Sequence, residues 1–78
     1  MSMNQDIGGK IREIRKGKRR SQAFVAQQLG VSRSQVTKWE LGMYPISISV
    51  LVKIAKILNV GIKTILFTGR RDGQNKTS

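Results

Sequence analysis

Residues 22–41 read QAFVAQQLGVSRSQVTKWEL, and the pattern of apolar residues in this stretch decides the fold. Val25, Ala26, Leu29, Val31, Val36 and Trp39 recur at spacings that place them on the inward faces of two short helices meeting at a wide angle. Small Ala26 lets the second helix approach closely. Gly30 stands where the chain must leave the first helix with a positive φ, a conformation costly for any residue with a Cβ. Ser32 suits the N-cap of the following helix, because its hydroxyl can accept from an orphan backbone N–H. Left outward on that helix are Arg33, Ser34, Gln35, Thr37 and Lys38, all able to hydrogen-bond and none acidic. Such a surface suits the reading of base edges.

The bulk numbers point the same way. Seventy-eight residues make one domain, and 38% hydrophobic content suffices for a small helical core. The chain has neither Cys nor His and only 4 acidic residues, which removes thiolate chemistry, imidazole ligands and the usual general bases. A metal site, a cofactor or an enzyme activity is therefore not expected. Apolar runs stay well short of the roughly 18 residues a membrane span needs, and no signal peptide is visible. Against those 4 acids stand 15 Lys and Arg, a net charge of +11. An excess of this size repels itself and is tolerated where a polyanion is the partner.

Outward from the central stretch, residues 1–6 read as a flexible polar leader. A first helix is expected from near Ile7 to about Gly17, with Ile7, Ile11 and Ile14 as its buried stripe. Lys10, Arg12, Arg15, Lys16, Lys18, Arg19 and Arg20 crowd its other faces and its exit, a candidate phosphate rail. Ser21 stands where an N-cap belongs, so Gln22 falls at the positive end of the next helix, where an anion is attracted. Phe24 is expected on an exposed side, either covering Arg stems or meeting a partner. Beyond Gly42, residues 43–46 form a loop leading to Ser47 as the cap of a fourth helix. Its core residues are Ile48, Leu51, Ile54, Ala55 and Leu58, with Lys53 and Lys56 outward. Asn59 ends it, and Ile62, Ile65, Leu66 and Phe67 mark a short fifth helix. Val52 and Ile57 lie on faces a monomer would leave wet, a hint of self-association. Residues 69–78, GRRDGQNKTS, carry no periodic apolar signal and read as a basic flexible tail.

With its flanking segments IGGKIREIRK (7–16) and LVKIAKILNV (51–60), the stretch SQAFVAQQLGVSRSQVTKWELG (21–42) resembles the helix-turn-helix of Cro and cI type regulators, the XRE family. The resemblance runs from about Ile7 to Phe67. It implies an all-α, compact five-helix, lambda-repressor-like DNA-binding domain over residues 7–68, with the helix-turn-helix at 22–41. It also implies that Arg33, Ser34, Gln35 and Lys38 reach base edges, and that Arg15, Gln22, Thr37 and Tyr44 lie along phosphate. Glu40, by the same resemblance, pairs with Arg15 and holds the first helix against the third. The chain departs from relatives at Ile46, where they commonly place Pro, and at Gly61, where a capping Ser or Thr is usual.

The expected function is sequence-specific binding of double-stranded DNA by a cytoplasmic transcription regulator, bacterial or phage-encoded and associated with the nucleoid through DNA. It would act most often as a repressor by occupying an operator, as a homodimer formed through the C-terminal helix region. One alternative is an antitoxin-type regulator that also holds a partner protein. The other is a non-specific RNA- or ribosome-binding basic protein, which the scarcity of aromatic residues for base stacking disfavours.

Overall fold

The computed structural model describes residues 3–67, with side chains described from Asp6 onward. Five helices follow in order: α1 Met3–Gly17, α2 Gln22–Leu29, α3 Arg33–Glu40, α4 Ile48–Leu58 and α5 Ile62–Leu66. Among the described residues all regular structure is helical. The expected start of the first helix near Ile7 is corrected here, since α1 begins at Met3 and its first turn includes Asp6. Nothing between Met3 and Ile7 breaks a helix, and an acidic residue near the N-terminus complements the helix dipole. The proposed basic tail, 69–78, lies outside the described residues.

Serine caps set three of the four later starts. Ser21 Oγ accepts from Phe24 N, Ser32 Oγ from Gln35 N, and Ser47 Oγ from Val50 N, each satisfying a donor that the first turn leaves orphaned. Gly61 starts α5 without a side-chain cap. The ends of the first four helices share one device. Gly30 at φ 75°, with Val31 N donating to Ala26 O, closes α2. Gly42 at φ 76°, with Met43 N donating to Lys38 O, closes α3, and Asn59 at φ 59° does the same for α4. At the end of α1 that place is taken by Arg19, also at φ 59°, where a long side chain costs about 1 kcal/mol or more relative to a relaxed backbone.

The core comprises Ile11, Val25, Ala26, Val36, Leu51, Ile54, Ala55, Leu58 and Ile65. α2 packs on α3 and on α4, α1 packs on α3 and on α5, and α4 on α5. Trp39, Ile57 and Phe24 are partly buried against this core. The structure corrects the expectation for Val52 and Ile57, which are half-buried, whereas Phe24 takes one of its two expected roles, with the Arg20 guanidinium over its ring. Ile48, expected in the core, is 63% exposed. It is the first residue of α4 and stands beyond the turn that Leu51 packs down.

A contact that patterning does not announce fixes α1 against α3. Gly8 is buried, and a Cβ built on it would lie 2.8 Å from Glu40 O and still nearer to Trp39 O. The two backbones touch there, at a distance only glycine permits.

Candidate nucleic-acid interface

α3 is two-faced. Val36 and Glu40, four residues apart, are buried, so the opposite side must face out. On that side Ser34 is exposed and Gln35 and Lys38 are half-buried, while Arg33, the first residue of the helix, is exposed toward Gln22 and the start of α2. Lys38 Nζ lies 5.8 Å from the centre of the Tyr44 ring, which ties the loop after α3 to that helix by a cation–π contact. Tyr44 itself is 49% exposed.

Beneath this face runs a polar network through three helices. Arg15 Nε donates to Glu40 Oε2 at 2.6 Å and its Nη2 to Glu40 Oε1 at 3.1 Å, the two-pronged geometry a guanidinium makes with a carboxylate. Its Nη1 donates to Arg20 O at 2.8 Å. Both partners of the ion pair are buried, Arg15 at 7% and Glu40 at 5% exposure. Gln22 extends the network: its Nε2 donates to Glu40 Oε1 at 3.0 Å, and its Oε1 accepts from Thr37 Oγ1 at 2.9 Å. Arg33 Nε approaches the same Gln22 oxygen at 3.5 Å, a weak contact.

The expected phosphate residues thus divide by geometry. Gln22, at the first position of α2, lines an open cleft of about 350 Å³ together with Arg15, Ser21, Ala23 and Arg33. The N–H groups of the first turn of α2 and the Arg33 charge make this cleft attractive to an anion. The Thr37 hydroxyl meets its protein neighbours, lying between Gln22 Oε1 and Arg33 O, the latter at 3.2 Å. It serves the cleft by holding Gln22. Arg15 is held in the floor of the cleft by Glu40, and Tyr44 stands on the loop side of α3, apart from the cleft's lining residues.

The matching model is that of the helix-turn-helix family HTH_3, aligned over residues 11–65. The chain belongs to the XRE-type helix-turn-helix family. Its members' Cro/cI-like architecture is also that of the solved structures it resembles. The restriction-modification controller protein C.AhdI from Aeromonas hydrophila is 30% identical, with a TM-score of 0.74 over 78% of this chain and 92% of that one. The hypothetical transcription factor NHTF from Neisseria is 26% identical, with a TM-score of 0.80 over 88% and 79%. The clp gene regulator ClgR from Corynebacterium glutamicum, at 20% identity, shares the fold with a TM-score of 0.86 over 95% and 99%. Among curated proteins none matches the sequence significantly. As an XRE-type protein the chain is a DNA-binding transcription regulator, and no helix described is long and apolar enough to cross a membrane.

Sequence reasoning passed over two participants in this XRE-type framework. Arg20 supplies the carbonyl that fixes Arg15 and lays its guanidinium 4.6 Å from the centre of the Phe24 ring. Gly8 sets the distance between α1 and α3. Arg20 was visible only as one cation among several, and Gly8 only as a glycine inside a helix.

Proposed function

We propose that this regulator binds a specific duplex operator by laying α3 in the major groove and acts as a repressor by occupancy. In this reading Arg33 grips a guanine O6/N7 edge and Lys38 a second purine edge, while Ser34 and Gln35 make shorter contacts. Gln22 and the α2 N-terminus hold a phosphate, with Arg15 and Thr37 bracing Gln22 and Tyr44 meeting the backbone beside the loop. The observation that carries the proposal is the two-sidedness of α3. Its inner face is locked by Val36 and the Arg15–Glu40 pair, its outer face carries Ser34 and Lys38, and Arg33 is exposed at its N-terminus, with no acidic side chain on either surface. No step of chemistry is needed, because occupied DNA excludes other proteins.

One copy reads only a few base pairs, so a two-fold homodimer on a palindrome is proposed, with half-sites about one helical turn apart. Leu66, 38% exposed, and Phe67, 75% exposed, supply apolar surface at the C-terminal end for that pairing. The 30% identity to a controller protein fits a cytoplasmic regulator of gene expression.

Selection from a pool of random duplexes tests the proposal. A preferred, two-fold sequence is expected, and Arg33→Ala and Lys38→Ala should each cost about 1–3 kcal/mol and relax the preference at one position of each half-site. Raising salt from about 50 to 200 mM should lower affinity by about 10³ to 10⁵ if the dimer makes about 6 to 10 phosphate contacts. Equal binding to every duplex, with a flat salt response, would remove the proposal and leave the RNA-binding alternative to be tested with a structured RNA.

A further inference from the structure

The junction between α1 and α2 presents Lys16, Lys18, Arg19 and Arg20, all exposed, and the sequence from Ile14 to Trp39 contains no acid. Its backbone is fixed from both sides. Arg19 N donates to Lys16 O and Arg20 N to Arg15 O, each at 3.0 Å, while Arg15 Nη1 donates back to Arg20 O at 2.8 Å. Arg20 is further pinned across the Phe24 ring. Within this rigid frame Arg19 adopts φ 59° at the place where α2, α3 and α4 use Gly30, Gly42 and Asn59, residues for which that conformation is easy. Among the described residues the Arg19 guanidinium meets no carboxylate and no hydrogen-bond acceptor. The left-handed turn at Arg19 closes α1 through the Arg20 N to Arg15 O bond, and the residue that carries it, where glycine would suffice, sends an unpartnered guanidinium outward.

We propose that Arg19, with Lys16 and Lys18 beside it, forms a second phosphate-binding ledge on duplex DNA, outside the bases read by α3. The inference rests on the DNA-binding reading above and adds a contact that reading does not contain. Arg15 joins ledge to cleft: it lines the cleft with Gln22 and Arg33 and holds the Arg20 carbonyl at the ledge. A phosphate in the cleft therefore brings its neighbours on the strand toward Arg19. A lipid surface is the other phosphate-bearing partner, but residues 17–21, GKRRS, offer no apolar side chain to insert.

Arg19→Gly is the informative variant, because strain and binding predict opposite signs. Full-length protein would be titrated on the duplex recovered by selection, on its single-base variants and on a random duplex, across a salt series. The slope of log K against log salt should become shallower by about 0.9 for each bound copy, with base preference unchanged. The thermal midpoint should rise, by roughly 4 °C, as glycine relaxes the left-handed backbone. Arg19→Asn, which also tolerates this φ, should give the same shallower slope. Lys53→Gln removes one exposed charge on α4 and should leave the slope unchanged. An Arg19→Gly slope equal to wild type, a Lys53→Gln slope equally reduced, or a loss of base preference would each overturn the ledge. So would binding to phosphatidylserine vesicles that Arg19→Gly abolishes while the duplex slope stays at the wild-type value. If wild type prefers no duplex, the operator reading fails by itself, since the ledge is still measured on the random duplex.

Discussion

Glu40→Ala is expected to destabilise the domain by about 3–5 kcal/mol, the cost of stranding a buried charge by removing its partner. The Arg15 guanidinium, 7% exposed, would keep its bond to Arg20 O and lose both bonds to carboxylate. Gln22 Nε2 would lose its acceptor as well. For a chain of this length total stability is on the order of 4–12 kcal/mol, so the loss is a large share of the total, and at the low end of that range the variant would be partly unfolded at room temperature. Glu40→Gln keeps an acceptor oxygen in place and should lose less. Urea denaturation reads the stability of both. On the folded fraction of either variant, duplex affinity should fall by a similar factor at all sequences, because in the proposed docking the disturbed Gln22 holds phosphate and reads no base. Stability of Glu40→Ala within about 1 kcal/mol of wild type would mean that the ion pair does not clamp α1 to α3, since a buried Arg cannot lose its carboxylate at so small a cost.

The second large effect belongs to Gly8→Ala. Inside an exposed helix this exchange stabilises by about 0.5–1 kcal/mol, because alanine loses less backbone entropy on folding. Here the new methyl group would be driven into the carbonyl oxygens of Trp39 and Glu40. Backbone atoms cannot swing aside as the end of a side chain can, so α1 and α3 must separate. A net loss of about 1–3 kcal/mol or more is expected, in the range for forcing extra atoms into a packed interior. The neighbouring exchange is the control: a Cβ on Gly9 meets nothing within 4 Å, and Gly9→Ala should gain about 0.5–1 kcal/mol. Thermal melts of the pair would show opposite shifts. Since separation also tilts the carboxyl end of α3, Gly8→Ala should blur base preference at Lys38 more than at Arg33, a difference that selection on the surviving folded protein would reveal.

The helices were legible because their signals are local. Ser21, Ser32 and Ser47 announce starts through side chains that bond three residues ahead, and Gly30 and Gly42 announce ends by the φ they allow. The outer face of α3 followed from a 3.6-residue period that places Val36 inward and Ser34 and Lys38 outward. Local pattern misled where packing is settled by elements distant in the chain. Periodicity placed Ile48 in the core, but no neighbouring helix covers the first turn of α4 on that side. It left Ile57 wet because it could not say which helices would roof it.

By itself the sequence determined five helices, their caps, a cationic outer face on the third and a charge that calls for a polyanion. Tertiary structure alone decided which polar groups meet: that Gln22 is shared between Glu40 and Thr37, that Arg15 is fixed by the carbonyl of Arg20, and that Gly8 sets how near α1 comes to α3. The reason is physical. A helix is specified by bonds spanning three or four residues, whereas these contacts join residues up to 32 positions apart along the chain (Gly8 to Glu40) and exist only once the shared core has brought the helices together.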